Sequence, residues 1–207
     1  FGNGLLVFPH GMHVDKDDYL WFGHREHGVS RFVETVNPSF RSYKIMHFYD
    51  NSLLTVFMRL THLWIGSSNG IVRLRTEIKS NVELNVDTWL FPKFPAREVF
   101  SICDYTDDRI LAGTSRGLAM FDGKNWSILR KVDGIKAIPA TCLQRDGVQV
   151  WIGSPAGLQL WQENQPGKFF TEADGLPASH IKSLCLDENG NLLIGTIRGA
   201  AILIRQK

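Results

Sequence analysis

The stretch Val150-Trp151-Ile152-Gly153-Ser154-Pro155-Ala156-Gly157-Leu158 decides the fold of this protein. Three consecutive apolar residues end at one glycine, and after three intervening residues a second glycine begins a new apolar run. This spacing is typical of a β-hairpin, because glycine accepts the positive φ angles that tight turns need. An apolar run without alternation also indicates a strand covered on both faces of its sheet.

The same motif occurs five times in the 207 residues. Its other copies are Leu20-Trp21-Phe22-Gly23 with Gly28-Val29, Leu63-Trp64-Ile65-Gly66 with Gly70-Ile71, Ile110-Leu111-Ala112-Gly113 with Gly117-Leu118, and Leu192-Leu193-Ile194-Gly195 with Gly199-Ala200. The first glycines lie 43, 47, 40 and 42 residues apart. A period of about 40 to 50 residues with several short strands is typical of β-propeller blades, whereas helical repeats show 3.6-residue periodicity and few glycines.

Each copy predicts a four-stranded blade, with an inner strand before the motif and an outer aromatic strand after it. The predicted outer strands are residues 43–49, 88–91, 126–129 and 169–171, and none follows the fifth copy. The blades are predicted near residues 12–49, 53–91, 99–129, 138–171 and 180–204, in one all-β propeller domain or propeller fragment covering residues 1–207. Five blades can close as a small ring or form part of a ring of about seven, and the sequence leaves both open.

The second copy is shorter than the fifth. Asp50 to Gly66 spans 16 positions, whereas Asp174 to Gly195 spans 21. Either a turn is reduced in this copy or residues are absent from the sequence.

Composition narrows the possible functions. Twenty-three Lys and Arg against 21 Asp and Glu give a formal charge of only +2, which favours neither a nucleic acid nor an anionic membrane as partner. No apolar stretch reaches the roughly 18 to 20 residues that a membrane helix needs. Three cysteines, Cys103, Cys142 and Cys185, lie in apolar runs and are expected to be buried and to form no disulfide framework.

One segment carries a family resemblance. Phe170-Thr171-Glu172-Ala173-Asp174-Gly175-Leu176-Pro177, followed by Ile181, Leu184, Asp187, Gly190, Leu193-Ile194-Gly195-Thr196 and Gly199, resembles the two-component regulator propeller repeat. The resemblance recurs in weaker form over the whole chain. It implies a propeller in the extracytoplasmic, periplasmic or extracellular sensor part of a bacterial signalling protein. Related propellers also occur as separate interaction modules.

The ligand is expected on the loops at one edge of the blades, where the second-to-third-strand hairpins and the crossings between blades emerge. The hairpins contribute His24, Arg25, Glu26, His27, Ser67, Ser68, Asn69, Thr114, Ser115, Arg116, Ser154, Pro155, Thr196, Ile197 and Arg198. The crossings contribute Asn3, Asp50, Asp133, Asp174 and His180. From these, the sequence selects His24, Arg25, His27, Asn69, Arg116, Asp174 and Arg198 as ligand-binding residues.

Each candidate has a plainer interpretation. Arg25, Arg116 and Arg198 can converge on a carboxylate or sulfate, or they can be ordinary solvated residues of hairpin tips. His24 and His27 can hold a metal, but a turn does not place them on one face as a helix would.

The motif tryptophans Trp21, Trp64 and Trp151 are predicted to pack between blades rather than stack on sugars, and Trp89, Trp126 and Trp161 to fill the blades. Asp15 and Asp187 are predicted to cap turns.

These observations predict a binding or sensing module without catalytic residues, metal or cofactor. The sequence contains no phosphate-binding Gly-rich loop before a helix and no Cys-x-x-Cys pair. The first hypothesis is a sensor that binds a small molecule or glycan. The second is a scaffold that binds a protein partner on the loops, and the third is a metal-dependent lyase using His24, Glu26, His27 and His180.

Overall fold

The computed structural model describes residues 11–15, 18–24, 28–33, 39–43, 53–76, 86–106 and 108–205. These residues form 19 β-strands and two short 3-10 turns. The strands make five antiparallel sheets, and strands that follow each other in the chain are neighbours in each sheet. The predicted all-β fold with five blades is therefore confirmed.

Residues 1–99 form one compact unit that contains the first two sheets. The first sheet consists of β1 (Met12–Val14), β2 (Leu20–His24), β3 (Gly28–Val33) and β4 (Ser39–Tyr43). The second consists of β5 (Leu53–Arg59), β6 (His62–Ser67), β7 (Gly70–Arg75) and β8 (Val86–Leu90). A cluster of buried side chains joins these two sheets, with Trp21 and Val29 from the first and Leu53, Val56 and Ile65 from the second.

Residues 100–207 form the second unit. The third sheet consists of β9 (Val99–Thr106), β10 (Arg109–Thr114), β11 (Gly117–Phe121) and β12 (Trp126–Ile128). The fourth consists of β13 (Cys142–Asp146), β14 (Gln149–Ser154), β15 (Gly157–Trp161) and β16 (Lys168–Phe170). The fifth has three described strands, β17 (Ile181–Leu186), β18 (Leu192–Thr196) and β19 (Gly199–Leu203). One buried cluster joins the third and fourth sheets, and another joins the fourth and fifth.

In most copies the apolar residues of the motif are buried at consecutive positions. In β10, Ile110, Leu111 and Ala112 are at most 1% exposed. In β18, by contrast, Leu192 and Ile194 are buried while Leu193, between them, is 38% exposed. Consecutive apolar residues thus predict burial on both faces correctly for β10 but not for β18.

The outer strand of the first sheet differs from its prediction. The sequence assigned it to residues 43–49, whereas β4 is Ser39–Tyr43 and pairs Val33 with Ser39 and Val29 with Tyr43. Five residues separate β3 from β4, so the outer strand begins earlier in the chain than the aromatic residues suggested. Residues 44–49 lie outside the described part of the chain.

The second copy has five fewer positions from Asp50 to Gly66 than the fifth copy has from Asp174 to Gly195, and these five fall in two parts of the chain. Leu53 pairs with Ser67, and Ile181 pairs with the equivalent Thr196, so the inner hairpin of the second sheet is one residue shorter. The other four positions fall between Asp50 and Leu53, where residues 51–52 are not described. A reduced turn therefore accounts for part of the difference.

The three cysteines are free but not all buried. Burial raises the pKa of the Cys103 thiol far above its ordinary value and that of Cys142 to about 12. The prediction that Cys185 is buried is wrong, because this residue is exposed in β17. It lies on the face of the fifth sheet opposite to the one that packs against the fourth sheet.

Candidate ligand-binding face

The second unit brings its hairpins and crossings together, as predicted. The Ala140 amide, in the crossing from the third to the fourth sheet, donates to the Thr114 carbonyl at 3.0 Å. In the next crossing, the His180 carbonyl accepts from the Ile197 amide at 3.2 Å. We call the surface formed by residues 114–117, 129–141, 154–157, 171–180 and 196–199 the loop face.

A Ser or Thr hydroxyl stabilises four of the hairpins in the same way. The Ser or Thr after the first glycine donates to the carbonyl of the second glycine and accepts from the amide two residues on. The donor distances are 3.0 Å for Ser67, 2.8 Å for Thr114, 2.9 Å for Ser154 and 2.9 Å for Thr196. The amides that donate to these hydroxyls belong to Asn69, Arg116, Ala156 and Arg198.

These hydroxyls therefore hold the turns rather than face a ligand. Ser67, Thr114 and Ser154 have no exposed surface, although the sequence placed them among the loop residues open to a ligand. The signal was in the sequence, because four of the five copies read Gly-Ser/Thr-x-x-Gly. The hydroxyl fixes the turn, and the two following positions are free to vary between blades.

We expect Thr114→Val to lower the free energy of unfolding by about 1 to 2 kcal/mol, because the isosteric side chain leaves the Arg116 amide and the Gly117 carbonyl without their partner. Urea denaturation measures this change. Ser115→Ala, one position along the same hairpin, is the control and should change stability by less than about 0.5 kcal/mol. Equal effects of the two substitutions would contradict the assigned role of the hydroxyl.

Arg116 and Arg198 occupy the same position of the repeat, directly before the second glycine, and both are exposed. Arg198 Nη1 lies 3.6 Å from Glu172 Oε2, and the two side chains are 67% and 49% exposed. Such an open ion pair contributes little to stability and leaves the guanidinium able to exchange partners. Convergence of three arginines stays a prediction, since Arg25 lies outside the described residues.

Asp174 has a structural role that the sequence argument missed. It ends the 3-10 turn Glu172–Asp174, and its Oδ2 accepts from the Thr171 amide at 2.8 Å and the Thr171 hydroxyl at 3.2 Å. Asp133 makes the equivalent contact with the Arg130 amide at 2.6 Å. These are capping contacts, and Thr171-x-x-Asp174 is the sequence signal for them.

The remaining predicted ligand residues fall in the first unit. Asn69 is half-buried, and its carbonyl accepts from the Phe91 amide at 3.0 Å. The side chains of His24, Arg25 and His27 lie outside the described residues, so their role stays a prediction. Within the described part of the chain, no three His, Cys, Asp or Glu residues are placed to hold a metal ion.

Gln159 is the main site residue that the sequence did not reveal. This side chain has no exposed surface, yet it is polar and lies in β15. Its Oε1 accepts from the Lys136 and Ala137 amides at 2.8 and 3.0 Å, and its Nε2 donates to the Gly134 carbonyl at 2.6 Å. All its side-chain hydrogen bonds are thus with the crossing, and they favour one conformation of this segment.

Other acids support the turns at the opposite edge of the sheets. Asp15 accepts from the Tyr19 amide at 3.0 Å and the Trp21 indole at 2.7 Å. Asp187 accepts from the Asn191 side chain and backbone at 2.8 Å, and the Asn191 side chain is the main reason that its pKa is lowered. The predicted turn-capping roles of Asp15 and Asp187 are confirmed.

The motif tryptophans are buried, as predicted. Trp21, Trp64 and Trp151 are 1%, 3% and 6% exposed, which leaves little ring surface for a sugar. Trp151 packs in the cluster between the fourth and fifth sheets. The interpretation as packing residues is confirmed.

A cavity of about 430 Å³ lies in the second unit beside the loop that joins β15 to β16. Leu129, Asp133, Trp161, Glu163 and Pro166 contribute to its lining. Its two carboxylates already have partners, since Arg109 donates to Glu163 at 2.6 Å and the Arg130 amide to Asp133. Leu129 and Asp133 also belong to the loop face, so the cavity borders this face and is not a separate charged site.

Comparison with known proteins locates the repeat on this structure. The sequence signature of the two-component regulator propeller matches residues 175–198, which run from the crossing to the hairpin of the fifth sheet. The resemblance that the sequence suggested is confirmed for this repeat, and no curated protein matches the chain.

Solved structures share the propeller fold. The extracellular domain of the putative hybrid two-component system BT3049 from B. thetaiotaomicron is 20% identical, with a TM-score of 0.75 over 92% of this chain and 26% of that one. PorZ of the type-IX secretion system of Porphyromonas gingivalis is 13% identical, with a TM-score of 0.77 over 98% and 34%. Virginiamycin B lyase from Staphylococcus aureus is 12% identical, with a TM-score of 0.68 over 95% and 70%.

These similarities establish the fold as a β-propeller, and the neighbours are larger propellers. The chain spans about a quarter to a third of the length of the first two structures. No described helix is both long and apolar enough to cross a bilayer.

Proposed function

We propose that this propeller is a sensing module of a bacterial signalling protein and binds an anionic ligand, a carboxylated or sulfated small molecule or glycan fragment, on its loop face. The observation that carries the proposal is the pair of exposed arginines, Arg116 and Arg198, at one repeat position of two different blades. A planar guanidinium recognises carboxylate and sulfate through two parallel hydrogen bonds.

The charge balance of the loop face supports an anion. Arg116, Arg130, Lys136 and Arg198 are exposed on its hairpins and crossings. Its acids are already engaged within the loops: Asp133 and Asp174 cap 3-10 turns, and Glu172 Oε1 accepts from the Ser179 amide at 3.1 Å. The four cations outnumber these three acids by one, and the acids direct oxygens to loop amides, which together favour an anion at this face although the whole chain carries only +2.

The rigidity of the loops supports recognition at this face. Gln159 fixes one crossing, the capping box of Thr171 and Asp174 fixes the next, and buried hydroxyls fix the hairpins. A preorganised site loses less conformational entropy when it binds a ligand. The fold similarity to the extracellular domain of a putative hybrid two-component system supports an extracytoplasmic location and a sensing role.

We expect carboxylated or sulfated saccharides to raise the melting temperature of the protein, and Arg116→Ala or Arg198→Ala to weaken binding by about tenfold or more. Because both side chains are exposed, neither substitution should change the melting temperature without ligand. Differential scanning fluorimetry over a panel of anionic and neutral saccharides measures both effects. Added salt should weaken binding, since exposed charges are screened.

Lys124→Ala is the control, because Lys124 is exposed at the opposite edge of the third sheet, after β11. A ligand shift that both arginine variants retain would contradict the site. A panel in which no anionic compound changes the melting temperature would contradict the small-ligand function and favour the protein-binding scaffold. Protection of the loop face in hydrogen exchange would then identify a protein partner.

A further inference from the structure

One acid of the loop face contacts one of the two arginines to which the proposed function assigns the anion. Glu172 begins the 3-10 turn Glu172–Asp174 in the crossing from the fourth to the fifth sheet, and Arg198 lies in the hairpin of the fifth sheet. Arg198 Nη1 lies 3.6 Å from Glu172 Oε2. A carboxylate of the chain itself thus lies beside this guanidinium, where an anionic ligand would bind.

The Glu172 side chain is held at this place by the backbone of its own crossing. Its Oε1 accepts from the Ser179 amide at 3.1 Å, while the Glu172 amide donates to the Ser179 hydroxyl at 3.4 Å. The capping box of Thr171 and Asp174 fixes the same crossing. Because the backbone is already ordered, the carboxylate stays near Arg198 at little further cost in conformational entropy.

The contact between Glu172 and Arg198 can exchange. Both side chains are exposed, and 3.6 Å is longer than the roughly 2.7 to 2.9 Å of a charge-assisted hydrogen bond. By comparison, Arg109 Nη1 and Glu163 Oε2 are 2.6 Å apart. An external anion that presents two oxygens to the planar guanidinium can therefore form the short bonds that Glu172 does not form.

The repeat itself does not require an acid at this position. Lys131 takes the place of Glu172 in the preceding crossing, two positions before the last aspartate of the 3-10 turn in both copies. Ala156 takes the place of Arg198 in the hairpin of the fourth sheet, directly before the second glycine. The acid and the arginine thus occur together in the fifth copy and are both replaced in the fourth, which favours a role for the pair over a role in the turn.

We propose that Glu172 is an internal competitor of the ligand: its carboxylate occupies Arg198 in the free protein, and an anion binds there by displacing it. This inference rests on the proposed function and adds the group that sets the affinity of that site. Sulfate or a carboxylate can displace Glu172 because each bridges the guanidinium with two oxygens, which chloride cannot do. The displaced carboxylate stays nearby and repels the bound anion, so removal of its charge should strengthen binding.

Glu172→Gln tests this role, because the amide oxygen of glutamine can still accept from the Ser179 amide while the negative charge is lost. Sulfate and glucuronate are titrated at constant ionic strength into the isotope-labelled full chain, and the NMR signal of Arg198 Nε–H, assigned with Arg198→Lys, reports binding. We expect Glu172→Gln to lower both dissociation constants about three- to fivefold, the effect of removing one like charge at about 4 Å in water. The melting temperature without ligand should change by less than about 2 °C.

Glu188→Gln is the matched control, because it removes the same charge from an exposed acid in the turn between β17 and β18, at the opposite edge of the fifth sheet. It should leave both dissociation constants unchanged. Glu172→Gln should also lose its effect in an Arg198→Ala background, where the rise in melting temperature at a fixed anion concentration reports binding. Loss of the effect there would show that the two side chains act on the anion as a pair.

Equal dissociation constants for the native chain and Glu172→Gln, with Arg198 still reporting binding, would overturn this proposal and leave the anion site intact. Weaker binding by Glu172→Gln would also overturn it, because Glu172 would then accept a hydrogen bond from the ligand. Binding by Glu172→Gln alone would support it, since the acid would then block Arg198 in the native chain. If neither chain binds either anion, the anion site itself fails, and the role of Glu172 fails with it.

Discussion

Gln159→Leu is expected to lower the free energy of unfolding by about 3 kcal/mol, which corresponds to a fall of roughly 6 to 12 °C in melting temperature. Leucine fills a similar volume, so the loss comes from hydrogen bonds rather than from a cavity. The Lys136 and Ala137 amides and the Gly134 carbonyl would lose their partner in the interior. Leaving buried polar groups without partners costs more than the net gain from forming the bond.

Calorimetry of the purified variant measures this loss, and Gln165→Leu is its control. Gln165 is exposed in the loop that joins β15 to β16, so its substitution should change stability by less than about 0.5 kcal/mol. If both variants have the melting temperature of the native protein, the hydrogen bonds of Gln159 to the crossing do not contribute to stability. The variant should also bind ligand more weakly, because the crossing contributes Lys136 to the loop face.

Gly153→Val is expected to cost about 2 to 3 kcal/mol, because the added side chain has no space between the fourth and fifth sheets. Its Cβ alone would lie 2.4 Å from Cys142 Sγ and 2.7 Å from Ile181 Cγ2. Ile181 is fully buried and β-branched at the start of β17, so it cannot turn aside without disturbing the strand.

Gly195→Val makes the same change at the same repeat position and is the control for Gly153→Val. There the nearest atom is Ser183 Oγ at 2.3 Å, which can rotate away, so we expect a loss below about 1 kcal/mol. Chemical denaturation of the two variants gives the difference. Similar losses at both positions would mean that strand conformation, rather than contact between sheets, requires the glycine.

The candidate site was only partly predictable. Arg116 and Arg198 were found because hairpin tips can be located from the glycine spacing, and the structure places both on exposed turns. The hydroxyls of Thr114 and Ser154 were counted among the loop groups because sequence position does not show which side of a turn a side chain occupies. Asp174 was selected for its place in the crossing, and its capping bonds became evident only from atomic distances.

The sequence by itself determined the repeat, the five sheets and most of their strands. Glycine spacing and apolar runs are local properties, and each blade is a local antiparallel meander, so residues such as Val150 to Leu158 carry enough information to specify their own hairpin. Tertiary structure decided which polar side chains are buried and which apolar ones are not. Gln159 is enclosed and Leu193 is exposed because of what packs against them, and contacts between sheets join residues that are distant in the chain.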